Sequence, residues 1–189
     1  KAALWYRKAL FIADSLQLPK VQTASLYMGL GRIYLLLEDF EASLNCYQQT
    51  EKSFSDLSLN LQAYFLNNYG NYYYYTKDYQ TSLKKFLMLK KLLEKHDKRE
   101  TFSMYLCKLN LADVYLNLNQ LDLSDKCLDE VEDYMRKNGD ETAIYYCNTI
   151  RIGQAVKKKD WNTVARILAG EKSNDQLDFS LLQIRHQYL

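Results

Sequence analysis

Only two side chains in this chain, His96 and His186, could serve as imidazole acid–base groups, and both sit in charged segments, EKHDKRE and IRHQ. No nucleophile, glycine-rich phosphate loop or metal-spaced ligand set accompanies them, so they read as solvated surface histidines. The expectation is a protein with no catalytic residues, no metal and no cofactor. Cys46, Cys107, Cys127 and Cys147 lie in apolar stretches with neither CxxC pairing nor a histidine at zinc spacing, which marks them as small buried hydrophobes. The four tyrosines at 72 to 75 are more informative. Consecutive helical positions cannot all face one interior: Tyr73 is read as the packing residue, and Tyr72, Tyr74 and Tyr75 as pointing elsewhere. Nearby Asn67 and Asn71 could bind an extended peptide backbone through amide donor and carbonyl acceptor, with tyrosine supplying amphipathic contact area.

The elements that must position these residues follow from composition. In 189 residues there are one Pro and six Gly, too few to punctuate the many turns of a sheet protein, and 48% of residues are hydrophobic. The 25 basic and 23 acidic residues are scattered, and only Lys157, Lys158 and Lys159 form a tight basic cluster. The segment LKKFLMLKKLL alternates Lys pairs with apolar residues at helical period and reads as a solvated helix face, not as a nucleic-acid platform. No apolar run has the ~18 residues of a spanning helix, so no membrane insertion is expected. The thiols lean towards a reducing, cytoplasmic compartment, while a periplasmic sensor region stays open.

Along the chain the apolar period is helical throughout. Residues 2 to 17 carry Ala2, Tyr6, Ala9, Leu10 and Ala13 on one side, and Pro19 closes the segment. Tyr27, Leu30, Gly31 and Tyr34 then precede a break at Glu38-Asp39, after which Phe40 opens a helix with Ser43, Tyr47 and Thr50 inward. The same pattern returns as Leu66, Tyr69, Gly70 and Tyr73, a break at Lys77-Asp78, then Tyr79, Ser82, Phe86 and Leu89. It returns again as Leu111, Ala112 and Tyr115, then Leu121, Ser124, Leu128 and Val131, closing near Asn138-Gly139. A weaker copy follows, with Asp160-Trp161 opening a helix that holds Val164 and Leu168. Setting Ala2, Ser43, Ser82, Ser124 and Val164 in register gives a period of about forty residues, the mark of a solenoid of helix hairpins. Gly31, Gly70 and Ala112 should face Ser43, Ser82 and Ser124 where helix axes approach. Tyr34 with Tyr47, Tyr73 with Phe86 and Tyr115 with Leu128 would fill the diverging ends, and Phe40, Tyr79, Leu121 and Trp161 would anchor the second helices.

The pattern Y-x2-L-G-x2-Y at 27 to 34, followed by D-F-x2-S-x3-Y-x2-T at 39 to 50, resembles the tetratricopeptide repeat, as do the copies at 66 to 89 and, more loosely, 108 to 131. The helices are longer than that family's ~34-residue unit allows, and the closing Pro is missing. The resemblance implies an all-α, right-handed superhelical solenoid of about ten helices. Its parts would be a partial repeat at 1–18, repeats at about 20–56, 58–96, 100–138 and 141–170, and an unpaired helix at 175–189, as a fragment of a longer protein. Long-helix repeats of this kind look like those of bacterial transcriptional regulators and sensor proteins.

In that family the first helix of each repeat lines a concave groove. The groove positions fall here on Tyr64, Asn67, Asn71, Tyr74 and Tyr75, with Met28, Arg32 and Leu35 on one side and Leu109, Asp113, Leu116 and Asn117 on the other. The expected partner is a protein or peptide, which can be another part of the same chain, or a second copy in a homodimer. Only Arg32 suits a clamp for a peptide carboxylate, so recognition of an acidic C-terminus is not supported. Two alternatives stay open: the tyrosines seal contacts between repeats, or the array is a dimerisation or spacer scaffold whose groove is not used.

Overall fold

A computed structural model describes residues 2–96, 101–138 and 141–171. Among them the regular structure is helical: α1 (Ala2–Ser15), α2 (Lys20–Leu36), α3 (Phe40–Glu51), α4 (Leu59–Tyr75), α5 (Tyr79–His96), α6 (Phe102–Asn117), α7 (Leu121–Asn138), α8 (Glu141–Lys158) and α9 (Trp161–Glu171). A short 3-10 turn at Phe54–Asp56 follows α3, which therefore ends before Phe54. The expected final helix at 175–189 lies outside the described residues, as do Gly139, Asp140 and His186. Helices pack in adjacent pairs, α2 with α3, α4 with α5, α6 with α7 and α8 with α9, with α1 laid on α2. Two compact units result, residues 1–99 and 100–189.

A left-handed residue turns all four hairpins, and an aspartate cap follows it in three. Glu38, Lys77, Asn119 and Lys159 take φ of 58°, 62°, 60° and 56°, the left-handed conformation that terminates a helix. At the first of these, Glu38 N–H donates to the Leu35 carbonyl at 3.0 Å and Asp39 N–H to the Tyr34 carbonyl at 2.9 Å, satisfying carbonyls the helix leaves orphaned. The next residue then starts the partner helix. Asp39 accepts from Ala42 N–H, Asp78 from Thr81 N–H and Asp160 from Thr163 N–H, each at 3.1 Å. A left-handed residue followed by an aspartate cap reverses the chain in very few residues.

Inside the first three hairpins the small-residue pairing is reinforced by a hydrogen bond. Ser43 Oγ donates to the Gly31 carbonyl at 2.8 Å, Ser82 Oγ to Gly70 at 2.9 Å and Ser124 Oγ to Ala112 at 2.7 Å. All three serines are buried, so the hydroxyl must be partnered within the protein. The aromatic partners differ from expectation. The Tyr47 and Phe86 rings lie against Gly31 and Gly70 themselves, while the Tyr34 hydroxyl accepts from Arg7 Nε of α1 at 2.6 Å. A glycine leaves room for a ring directly over the helix backbone, so the ring is accommodated at the close approach and not beyond it.

Three further expectations are corrected. Ala2 is exposed and Ala3 takes its place, beside the expected Tyr6 and Leu10, against the cluster of Leu30, Tyr34 and Cys46. Phe40 and Trp161 are exposed and anchor little. Tyr72 is buried and Tyr73 half-buried, the reverse of their assigned roles, because Tyr72 turns towards α3 and meets Tyr47 at 6.0 Å between ring centroids.

In the second unit, Arg151 of α8 reaches across to α7, with Asp129 at 3.0 Å, Glu132 at 2.8 Å and Asp125 at 3.7 Å. Gln154 Nε2 donates to Ser124 Oγ at 2.9 Å and extends the buried serine bond into α8. The lysine cluster is used structurally. Lys157 Nζ donates to the Leu116 carbonyl at 2.6 Å, at the negative end of α6, and Lys158 pairs with Asp125 at 3.5 Å.

Candidate functional site

The α4 helix spans 17 residues, and Tyr64, Asn67, Asn71, Tyr74 and Tyr75 recur on it at intervals of three and four, which places them on one face. Tyr64 and Tyr75 are 41% and 56% exposed, whereas Asn67, Asn71 and Tyr74 are half-buried. The opposite side of α4 is core, with Phe65, Leu66, Tyr69 and Tyr72 buried. Burial fixes the rotation of the helix and thereby the direction of its exposed face.

At the C-terminal end of this face the rings of Tyr74 and Tyr75 meet edge to face at 5.7 Å, and Tyr74 also meets Tyr79 of α5 at 5.6 Å. Such pairs hold the rings in set orientations. Asn68, which the spacing argument did not single out, is buried and donates through Nδ2 to the Tyr64 carbonyl at 2.7 Å.

Arg32 is exposed on α2, the helix that packs beside α4. Burial pushes the Tyr47 phenol well above its ordinary range, Tyr64 adds to that rise and the Arg32 charge opposes it. Arg32 and Tyr64 therefore both act electrostatically on the same buried phenol.

Behind the face lies a continuous aromatic layer that sequence spacing did not reveal. Tyr47 stacks on Tyr69 at 5.3 Å and meets Phe65 edge-on at 6.4 Å, and Tyr73 donates from its hydroxyl to that of Tyr69 at 3.1 Å. Lys85 of α5 sits 4.4 Å from the Tyr69 ring centroid and pairs with Glu51 of α3 at 2.9 Å. The high tyrosine count was the one signal available. Period alone could not say which rings pair across helices.

Asp113 and Asn117 fall in the other unit, on α6, where Asn117 Nδ2 donates to the Asp113 carbonyl at 2.9 Å and to its carboxylate at 3.3 Å. Of the polar and tyrosine groove positions, Arg32, Tyr64, Asn67, Asn71, Tyr74 and Tyr75 thus fall in the first unit, and Asp113 and Asn117 in the second. Met28, Leu35, Leu109 and Leu116, expected to flank the groove, are all buried and belong to the core.

His96 is exposed beside Lys95 in the last turn of α5, where positive charge suits the helix terminus. Among the described residues no group of three His, Cys, Asp or Glu side chains could hold a metal ion, and no helix is long and apolar enough to cross a membrane. No disulfide joins Cys46, Cys107, Cys127 or Cys147. Burial pushes the Cys46 thiol up to about 11 and Cys147 up to about 12, which favours the neutral thiol in both. No protein-family model matches the chain, and no curated protein matches it.

Proposed function

We propose that the chain is a non-enzymatic interaction module, a tetratricopeptide-like array within a larger regulatory protein of the signalling or transcription-regulator class, and that the exposed face of α4 binds an extended peptide or protein segment. The observation that carries this reading is the alignment of Tyr64, Asn67, Asn71, Tyr74 and Tyr75 on one face of a helix whose other side is locked in the core. Amides there could pair with a strand-like backbone, and the oriented rings offer apolar contact at low entropic cost. Arg32 adds one cation beside them.

The test is selection of a displayed random-decapeptide library on the 189-residue chain, followed by titration of the enriched peptides against Asn67→Ala/Asn71→Ala and Tyr75→Ala variants. At least a tenfold loss of affinity with an unchanged unfolding midpoint is expected. Failure to enrich any peptide, or undiminished binding by variants that have lost stability, would leave these residues a packing role only. A spacer or dimerisation scaffold is the second reading, favoured by the apolar surface of α1.

A further inference from the structure

The first helix is apolar on both sides. Ala3, Tyr6 and Leu10 face α2 and α3, while Leu4, Trp5, Phe11 and Ile12, continued by Leu16 just past the end of the helix, are turned outward. Trp5 is 68% and Phe11 75% exposed. A helix hydrophobic all round is ordinarily covered all round. At 55–75% exposure these five side chains leave on the order of 600 Å² of apolar surface, at the top of what a monomer tolerates.

We propose that this stripe is a homodimer interface, in which α1 of one copy packs antiparallel against α1 of a second copy across a two-fold axis. The area favours this occupant. A stable interface buries about 800 Å² per partner, and the outward stripe of α1 alone approaches that value. A two-fold axis presents the same patch from both sides, so an apolar surface is its own complement. The composition argues against charge-selected partners: one cation, Lys8, lies within the stripe, and its ammonium is folded 5.1 Å from the Trp5 ring centroid. An interfacial membrane helix would instead flank such residues with a row of Lys and Arg. The surface is distinct from the α4 face, so the two proposals stand or fall separately.

The test is sedimentation velocity on the 189-residue chain between about 1 and 100 µM, which reads dissociation constants up to the micromolar range. A concentration-dependent dimer is expected. Phe11→Glu should raise its dissociation constant at least ~100-fold, because a charge would be buried at the centre of the contact. Since Phe11 is largely exposed, the variant should keep its helical circular dichroism. Leu87→Glu, at an exposed position on α5, is the control and should leave the dimer intact. A chain that stays monomeric at 100 µM, a dimer that survives Phe11→Glu, or co-sedimentation of the monomer with anionic phosphatidylserine vesicles would each overturn the proposal.

Discussion

Substituting Gly70 by Ala sets two effects of known sign against each other. In an exposed helix interior the change would stabilise by about 0.8–1.0 kcal/mol through helix propensity. Here the new methyl would meet Phe86 Cε1 at 2.7 Å, Cζ at 2.9 Å and Cδ1 at 3.0 Å. Phe86 is fully buried and stacked over the helix, so its ring cannot swing into solvent. Overpacking of this kind costs about 1–3 kcal/mol, which leaves a net loss of about 1 kcal/mol. Gly31 provides the graded comparison. A methyl there would meet Cys46 Cβ at 3.1 Å and Tyr47 Cζ at 3.2 Å, a strain relieved by shifts of a few tenths of an ångström, so Gly31→Ala should be close to neutral.

The third hairpin supplies the rescue. Ala112 and Leu128 occupy the positions of Gly70 and Phe86, each Ala or Gly twelve residues before its hydrogen-bonded Ser. Gly70→Ala combined with Phe86→Leu reproduces that pair, and should lose about 1 kcal/mol less than the sum of the single changes. Urea denaturation followed by far-ultraviolet circular dichroism measures all four corners of the cycle. A Gly70→Ala variant more stable than the parent, or a strictly additive double variant, would refute the close-approach argument.

The other predictions rest on separate features. Ser124→Ala should destabilise more than Ser43→Ala or Ser82→Ala, each about 0.5–1.5 kcal/mol, because it also strips buried Gln154 Nε2 of its acceptor; the unfolding midpoints of the three variants decide it. Lys77→Gly should stabilise by about 0.5–1 kcal/mol and Lys77→Val destabilise by about 1–2 kcal/mol, since φ is 62° there and left-handed backbone disfavours a β-branched side chain. Alkaline pH should weaken the fold. The Cys46 and Cys147 thiols are raised from 9.0 to about 11 and about 12, so between pH 9 and 11 the unfolded chain releases protons that the folded chain retains. Stability contributed by these groups is therefore fully present below pH 9 and lost as pH rises through their folded values. The buried tyrosines Tyr47, Tyr69 and Tyr72 act in the same direction. Urea midpoints should be level from pH 7 to 8 and fall by pH 10; a flat profile would contradict the burial of these groups.

What the sequence determined by itself was the kind of element, the pairing of elements and the contacts repeated in the first three hairpins. Helical period, the scarcity of Gly and Pro, and the recurrence of Gly31, Gly70 and Ala112 against Ser43, Ser82 and Ser124 are local or periodic properties. They are legible because each hairpin must solve the same close-approach problem within its own short stretch. The breaks at Glu38-Asp39 and Lys77-Asp78 were legible for the same reason, although the left-handed backbone of Glu38 and Lys77 was not, because neither residue type announces it.

Tertiary structure decided which way each helix is turned. Tyr72 rather than Tyr73 is buried because α3 presents Tyr47 on that side, a contact between residues of different hairpins that no local period encodes. Met28, Leu35, Leu109 and Leu116 left the expected groove for the core for the same reason. The outward stripe of α1 became visible only once Tyr6 was seen against Gly29 and Arg7 against Tyr34, since those contacts fix which of two apolar sides faces inward. An apolar side chain records that it needs cover, and the neighbouring helices decide whether it receives any.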